Sequence, residues 1–435
     1  MIWQKSSGGH WLRRFLLLGD PMNNFAAVVL FYIELLLALG LLWKEGLLKT
    51  RRAQVTSLVL LVLVFLLRYF CMDYETDDYL NWISRWVQHF RDNGLWKGLG
   101  MEIWACNYNV PYLYFLAVFA KLDIPDLYSV KLLSILFDIL LAWGLTKIVS
   151  LFTDSTSRRL TAFIGTLYLP TVFLNGALWG QCDSMYAALC VWSLYFVLSD
   201  RPMAGVAMYA LSFSLKLQAI FLMPVFLVFV LARKMKFWHL FVFPVTYVIT
   251  ILPAVIAGRN FVDLLLLYYN NTGSIGDGLN YNSSSMYSLS EFPALSPAAA
   301  GNVGIFLAFS LCVLLFAWTL LRRRHADNSV LLGMAVVLCI GVPFFLPHMH
   351  DRYFFLADVL SFALAVAFPW ESLIPVLVSF GSLLGYHAYL RLRFLMPMRY
   401  GGLAILFALL LSIVFVAARL EKNKKIELTN PSNLL

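Results

Sequence analysis

The chain has 435 residues, 61% of them hydrophobic and only 13% charged. A water-soluble domain carries about 25% charged residues, so this composition excludes a soluble globular protein and points to one integral membrane domain over 1–435. The net charge of +9 does not signal a nucleic-acid binder, because the basic residues sit in short tethers between apolar runs.

Taken in chain order, Met1–Asp20 carries Lys5, Arg13 and Arg14 but no cleavage-site pattern after Phe15–Gly19, and is not expected to be a removed signal peptide. Apolar segments then recur. They are about Asn24–Trp43, Ala53–Phe70, Tyr128–Phe152, Leu160–Leu174, Ser184–Leu198, Met203–Leu215, Leu217–Ala232 and Phe237–Ala257. Val303–Leu321, Val330–Phe345, Tyr353–Phe368, Leu373–His387 and Gly402–Arg419 complete the series. About 20 apolar residues cross a bilayer as a helix. The pattern therefore predicts an all-α polytopic protein of about 13 transmembrane helices, several of them short enough to be broken around an internal cavity.

The tethers holding Lys44, Lys49, Arg51 and Arg52, then Arg158 and Arg159, then Arg233, Lys234 and Lys236 are basic. Arg322–Arg324 and Lys422, Lys424 and Lys425 continue the alternation. Such loops stay cytoplasmic, which places Cys71–Leu127, Gly258–Asn302 and Leu346–Arg352 outside. The same parity puts Arg391, Arg393 and Arg399 outside, against the charge rule. Tyr108–Lys121 is too short to cross and is expected to lie in the outer interface. The six cysteines show no metal spacing; Cys71 and Cys106 share the first outer loop, where two free thiols are favoured over a disulfide.

That loop is rich in carboxylates: Asp73, Glu75, Asp77, Asp78, Asp92 and Glu102. Leu80, Ile83, Trp86, Val87 and Phe90 recur at helical spacing, so Asp77–Phe90 reads as an amphipathic surface helix with Asp77 and Asp78 at its favourable N-terminal end.

Charges beside apolar runs are informative, since one near the bilayer centre costs at least about 2.5 kcal/mol. Glu34 is expected to be neutral or paired and Arg68 to snorkel. Lys131 and Asp138, seven apart, read as a structural pair. Asp183 lies in the turn Leu178-Trp179-Gly180-Gln181-Cys182-Asp183-Ser184, either as a helix cap or lining a cavity. Lys216, with Gln218 in the break Ser214–Gln218, either snorkels or meets an anion. Pro347-His348-Met349-His350-Asp351-Arg352-Tyr353 is the densest polar cluster beside a span. It offers no tetrahedral set at familiar spacing, so no metal or other cofactor is expected, and Arg352 suits phosphate. A carboxylate on the outer loop that takes a proton from an acceptor, with cations stabilising a leaving phosphate, describes sugar transfer from a lipid phosphate with inversion.

These residues also carry a family resemblance, over about Phe65–Phe368. Thr76-Asp77-Asp78-Tyr79 with Trp86 and Gly94 resembles the acidic first-loop motif of the bacterial GT-C membrane glycosyltransferases similar to glycosylphosphatidylinositol mannosyltransferases. Asn107-Tyr108-Asn109-Val110-Pro111-Tyr112-Leu113-Tyr114 resembles their Asn-Tyr-Asn-Pro-Pro-Tyr-Leu-Tyr segment, with Val110 in place of a proline. Ala177–Ser184 and Phe213–Ala219 resemble their Trp-Gly-Gln turn and Lys-containing helix break. Phe345–Ala357 resembles their Pro-Lys-Met-His-Glu-Arg-Tyr-Phe motif, with His348 where lysine is usual.

The resemblance implies a GT-C-type bundle: a module over 53–257 with a catalytic outer loop at 71–127 containing juxtamembrane helices, then variable helices over 258–435 with an outer loop at 258–302. It implies a polyprenyl-phosphate sugar as donor and a glycan or glycolipid as acceptor, at the extracytoplasmic face of the plasma membrane. Asp78 is implied as the base, with Asp77 beside it as the other candidate. Lys216, Arg352 and His350 are implied at the donor phosphate. Trp179, Gln181, Asp183, Gln218, Tyr79, Asn107, Tyr108, Asn109 and His348 are implied around the substrate. Two other readings use similar residues: a lipid-linked saccharide flippase, and a diphosphate-dependent polysaccharide polymerase or ligase that wants outer arginines. A transporter's matching broken halves are not evident.

Overall fold

The computed structural model describes residue 22 and residues 24–271, 278–289 and 295–429. The expectation about Met1–Asp20 lies outside the described residues.

The first two helices, α1 (Phe25–Lys44) and α2 (Arg51–Tyr69), start on the caps Asn24 and Thr50. The first loop then folds into α3 (Ser84–Asn93), α4 (Leu95–Leu99) and α5 (Val110–Phe119), with a π-helical turn, Tyr79–Ile83, opening into α3. Next come α6 (Asp126–Ser150) and α7 (Thr156–Tyr168). Leu169 is extended and Pro170 has no N–H to give, so the helix breaks there. It resumes at a 43° bend as α8 (Pro170–Phe173) and a second π-helical turn, Leu174–Trp179.

After that turn follow α9 (Asp183–Leu198), α10 (Pro202–Leu215), a 3₁₀ turn (Leu217–Leu222), α11 (Pro224–Leu231) and α12 (Val242–Ile256). The second loop holds α13 (Phe261–Leu265), α14 (Leu267–Asn271) and β1 (Asn280–Tyr281). Beyond it run α15 (Pro297–Arg322), α16 (Asn328–Phe345), β2 (Met349–His350), α17 (Phe355–Ala367), α18 (Leu373–Arg391) and α19 (Arg399–Thr429). The two strands pair in parallel, Asn280 with Met349 and Tyr281 with His350, which straps the second loop to the segment before α17.

Among the described residues, eight helices are long and apolar enough to cross a membrane, or nine with the bent pair α7–α8. The protein is therefore an all-α multi-pass membrane protein. The other predicted spans are the shorter apolar helices α9, α10, the Leu217–Leu231 pair and α17. Within 258–302, α13 and α14 come first and α15 begins at Pro297.

Burial separates inner from outer helices. The most apolar window of α16 is 89% buried and that of α6 67%, against 17% for the Phe237–Ile256 segment and 28% for α2. An apolar helix left uncovered to that extent faces lipid.

Two ends are chemically distinct. At one, Glu45 accepts from Arg159 (3.0 Å), Lys147 (3.3 Å) and Trp143 (2.9 Å). There too Lys234 meets Asp200 and Arg322 meets Glu421. The other end gathers the first loop, the Trp179–Asp183 turn, Lys216, the strap and the segment around Arg352. The tether with Arg391, Arg393 and Arg399 lies at this second end: His387 Nδ1 is 3.1 Å from the Arg393 carbonyl, and Met398 touches Ser284 of the strap. Val110–Phe119 is a ten-residue helix rather than a span; Asn109 caps it, and Tyr114 donates to the Thr250 carbonyl of α12 at 2.8 Å.

Two expectations about buried charge are corrected. Arg68 does not snorkel: it is fully buried and pairs with Asp138 at 2.9 Å. Lys131 does not pair with Asp138, because two helical turns separate them by about 10 Å. Its ammonium instead collects the carbonyls of Cys71 (2.7 Å), Met72 (3.0 Å) and Tyr74 (2.7 Å), where α2 ends and the first loop begins. Glu34 is buried facing the Arg68–Asp138 pair. All six cysteines are free.

Candidate active site

Both π-helical turns sit beside a residue that reaches the centre of the second end. A π-turn inserts one extra residue and re-aims the side chains after it. The first comes directly after Asp78, and the second ends at Trp179. Gly180 closes the second in the left-handed region (φ 77°), where a side chain is disfavoured. The chain then reverses into α9 with Asp183 in its first turn. Thr76 Oγ1 donates to the Trp179 carbonyl at 2.9 Å and Ser134 Oγ to the Gln181 carbonyl at 2.7 Å, so the loop and α6 hold the turn in place.

Asp78 is the focus. Its Oδ2 accepts from Trp179 Nε1 (2.9 Å) and Gln181 Nε2 (2.7 Å), and the Tyr389 hydroxyl neighbours the same carboxylate. The Arg352 guanidinium stands 3.7 Å from Asp78 Oδ2, 3.5 Å from Asp183 Oδ2 and 3.7 Å from Asp351 Oδ1. Lys216 is ion-paired with Asp183 Oδ1, whose Oδ2 accepts from Asn175 Nδ2 at 2.7 Å. Aromatic rings frame these groups. Trp179 stacks on Tyr389 with centroids 4.2 Å apart, Arg352 lies over Trp179, and Lys216 lies over Tyr108.

The charge pattern is two cations among three carboxylates, with polar atoms left open. Arg352 Nε, Asp351 Oδ1, Gln218 Oε1 and Asn175 Oδ1 are buried without a hydrogen-bond partner. Unsatisfied buried polar atoms mark places where water or a ligand completes the network. Burial pushes Asp351 up to about 7 despite Arg352 beside it, and burial with Arg352 lowers His350 to about 4. Near neutral pH His350 is therefore an uncharged ring, stacked on Tyr281 of the strap at 4.7 Å.

Asp78, Trp179, Gln181, Asp183, Lys216 and Arg352 thus come together, from positions spread over most of the chain. Tyr108 joins through its hydroxyl, 3.5 Å from Gln181 Oε1, and Gln218 through Tyr353. Five residues do not join. Asp77 is exposed and makes none of the contacts that hold Asp78. Tyr79 turns away to the backbone of Leu127, where burial raises its hydroxyl to about 12. Asn107 is exposed outside the cluster, and Asn109 is spent on capping α5 and donating to the Tyr247 hydroxyl at 2.8 Å. His348, at φ 61°, bonds to the Gly278 carbonyl of the strap (2.7 Å) rather than facing Asp78.

Three site residues were not anticipated from the sequence: Asn175, Tyr386 and Tyr389. The signal for the tyrosines is a polar stripe at helical spacing on α18 (Ser379, Ser382, Tyr386 and Tyr389) inside an otherwise apolar run.

Among the described residues no three of His, Cys, Asp and Glu converge as a metal set. No family model matches the chain and no curated protein matches it.

Proposed function

We propose that the chain is an inverting glycosyltransferase with a GT-C-type bundle. It transfers a hexose from a polyprenyl-phosphate donor to a glycan, glycolipid or cell-envelope polymer on the non-cytoplasmic side of the plasma membrane. The observation that carries this reading is the meeting of Asp78, brought by the first loop, with Arg352 and the Lys216–Asp183 pair at the end of the bundle opposite the basic tethers. In this arrangement the thirteen apolar segments together span the membrane, the short ones around the site.

The chemistry follows from the geometry. A carboxylate has about four acceptor positions; Trp179 and Gln181 both donate to Oδ2 of Asp78, which leaves Oδ1 open. The acceptor's hydroxyl takes that open oxygen and gives its proton to Asp78 as its own oxygen attacks the anomeric carbon. The bond from that carbon to the phosphate oxygen breaks, and polyprenyl phosphate leaves. Arg352 and Lys216, already poised and largely shielded from water, oppose the charge growing on that phosphate.

Purified protein in lipid discs, given a panel of polyprenyl-phosphate hexoses and cell-envelope acceptors, is expected to release polyprenyl phosphate with one of them. Asp78→Asn is expected to lower that release by about 10²–10⁴-fold while leaving donor binding intact. Arg352→Ala or Lys216→Ala is expected to weaken donor binding. Full turnover in Asp78→Asn would remove Asp78 from its role; no release from any donor would turn the reading toward a flippase.

One observation favours a second reading. The tether with Arg391, Arg393 and Arg399 shares the site's end of the molecule, and several arginines beside a site suit a diphosphate-linked glycan in a polymerase or ligase. Release of polyprenyl diphosphate instead of monophosphate selects that alternative.

A further inference from the structure

Beneath the site, Asp358 of α17 is fully buried and, among the described residues, has no cationic partner. Two other fully buried ionisable groups at this depth are neutralised or solvated by protein: Arg68 has Asp138, and Lys131 has three carbonyls. Asp358 has only hydroxyls around it. Ser379 Oγ donates to Asp358 Oδ1 at 3.1 Å, and the hydroxyls of Ser382 and Thr171 also abut the carboxylate. Asp358 Oδ2, Thr171 Oγ1 and Ser382 Oγ are nevertheless all buried without a hydrogen-bond partner of proper geometry. Three unsatisfied oxygens therefore face one another in an apolar bundle.

The backbone around them adds to the pattern. Thr171 follows the break at Leu169–Pro170, where the helix bends by 43° and its ladder of hydrogen bonds is interrupted. Broken helices inside membranes recur at the binding sites of small monovalent cations, and here the break brings the Thr171 hydroxyl against the Asp358 carboxylate. An oxygen-only set suits a hard ion, and one carboxylate balances a single positive charge.

We propose that Asp358, Thr171, Ser379 and Ser382 form a binding site for one sodium ion. The site ties three elements together: the α7–α8 break leading to Asn175 and Trp179, α17 following Arg352, and α18 carrying Tyr386 and Tyr389. Asn175 already donates to the Tyr386 hydroxyl at 3.1 Å, across two of these elements. Tyr386 is the titratable group beside Asp358. Ion occupancy thus sets how rigidly the platform under Asp78 is held, whatever reaction that platform serves.

The test reads binding, not turnover, so it stands apart from the glycosyltransferase reading. Melting temperature of the full chain in detergent is measured as NaCl replaces choline chloride at constant ionic strength, with KCl and LiCl in parallel and at two pH values. The expected result is a saturable rise specific to sodium, needing more sodium at lower pH because protons compete for Asp358. Asp358→Asn abolishes the rise, and Thr171→Val or Ser382→Ala raises the half-saturating sodium concentration about tenfold. Should Asp358→Asn fail to fold, the two hydroxyl variants still decide the matter. Equal curves for all cations, or a melting temperature that follows pH alone, would overturn the proposal and leave Asp358 as a protonated structural acid.

Discussion

Arg68 and Asp138 form an ion pair with both side chains fully buried, and Asp138 also takes the Ser184 hydroxyl. Replacing one partner leaves the other as an uncompensated buried charge, which costs about 3–5 kcal/mol. Asp138→Leu is therefore expected to lose about that much in a denaturant or thermal titration. The double variant Arg68→Met with Asp138→Leu is expected to recover most of it, since removing both charges removes the desolvation cost. A double variant as unstable as the single one would mean that the pair does more than neutralise itself. The sequence shows that these charges exist and that they are costly, but not whom they meet. Spacing along one helix suggested Lys131 for Asp138, whereas the real partners arrive from α2 and from the loop after it. Charge partners across helices depend on which helices pack together, and periodicity within a helix carries no such information.

At the scale of elements, the apolar runs were legible because lipid demands them, and all thirteen are helical. The breaks were legible only where proline or a polar turn marks them. The two π-turns were not: Tyr79–Ile83 has ordinary helix-forming composition, and Asn175-Gly176 in Leu174–Trp179 signals a local break without saying that it takes π form. The strap was also hidden: a two-residue parallel pairing between distant loops leaves no alternating pattern to read. Its contact with α18 supplies a test. A methyl group on Gly385 would lie 2.6 Å from the Asn282 carbonyl oxygen and 2.9 Å from that of Asp351, and backbone atoms cannot swing aside as a side chain does. Gly385→Ala is expected to push the strap and the Arg352 segment off α18, costing about 1–3 kcal/mol. Because displacing site groups by an ångström loses about 10²-fold in rate, the proposed sugar transfer is expected to fall by that order. Gly381→Ala on the same helix chiefly meets the Ile405 side chain and is expected to be milder in both assays. Equal effects of the two would show that the strap does not position the site.

For the molecule as a whole, charge asymmetry fixes the prediction. One end holds Lys147, Arg159, Lys234 and Arg322 with their carboxylate partners and also Arg323 and Arg324, and the other holds Asp78, Arg352 and the strap. Basic loops resist translocation, so the first end is expected in the cytoplasm, although Arg391, Arg393 and Arg399 pull the other way. Cysteine labelling decides between these opposed charge signals. Asp77, Arg324, Arg393 and Lys422 all reach the surface to some extent, and each can be replaced singly by cysteine in a chain whose half-buried Cys106 is alanine. A membrane-impermeant maleimide on intact cells is expected to label Asp77→Cys and Arg393→Cys. Arg324→Cys and Lys422→Cys are expected to react only after permeabilisation. The opposite pattern would place Asp78 and Arg352 against the cytoplasm, where nucleotide sugars are available and a lipid-phosphate donor loses its rationale. Orientation therefore bears on the chemistry as directly as substitution of Asp78 does.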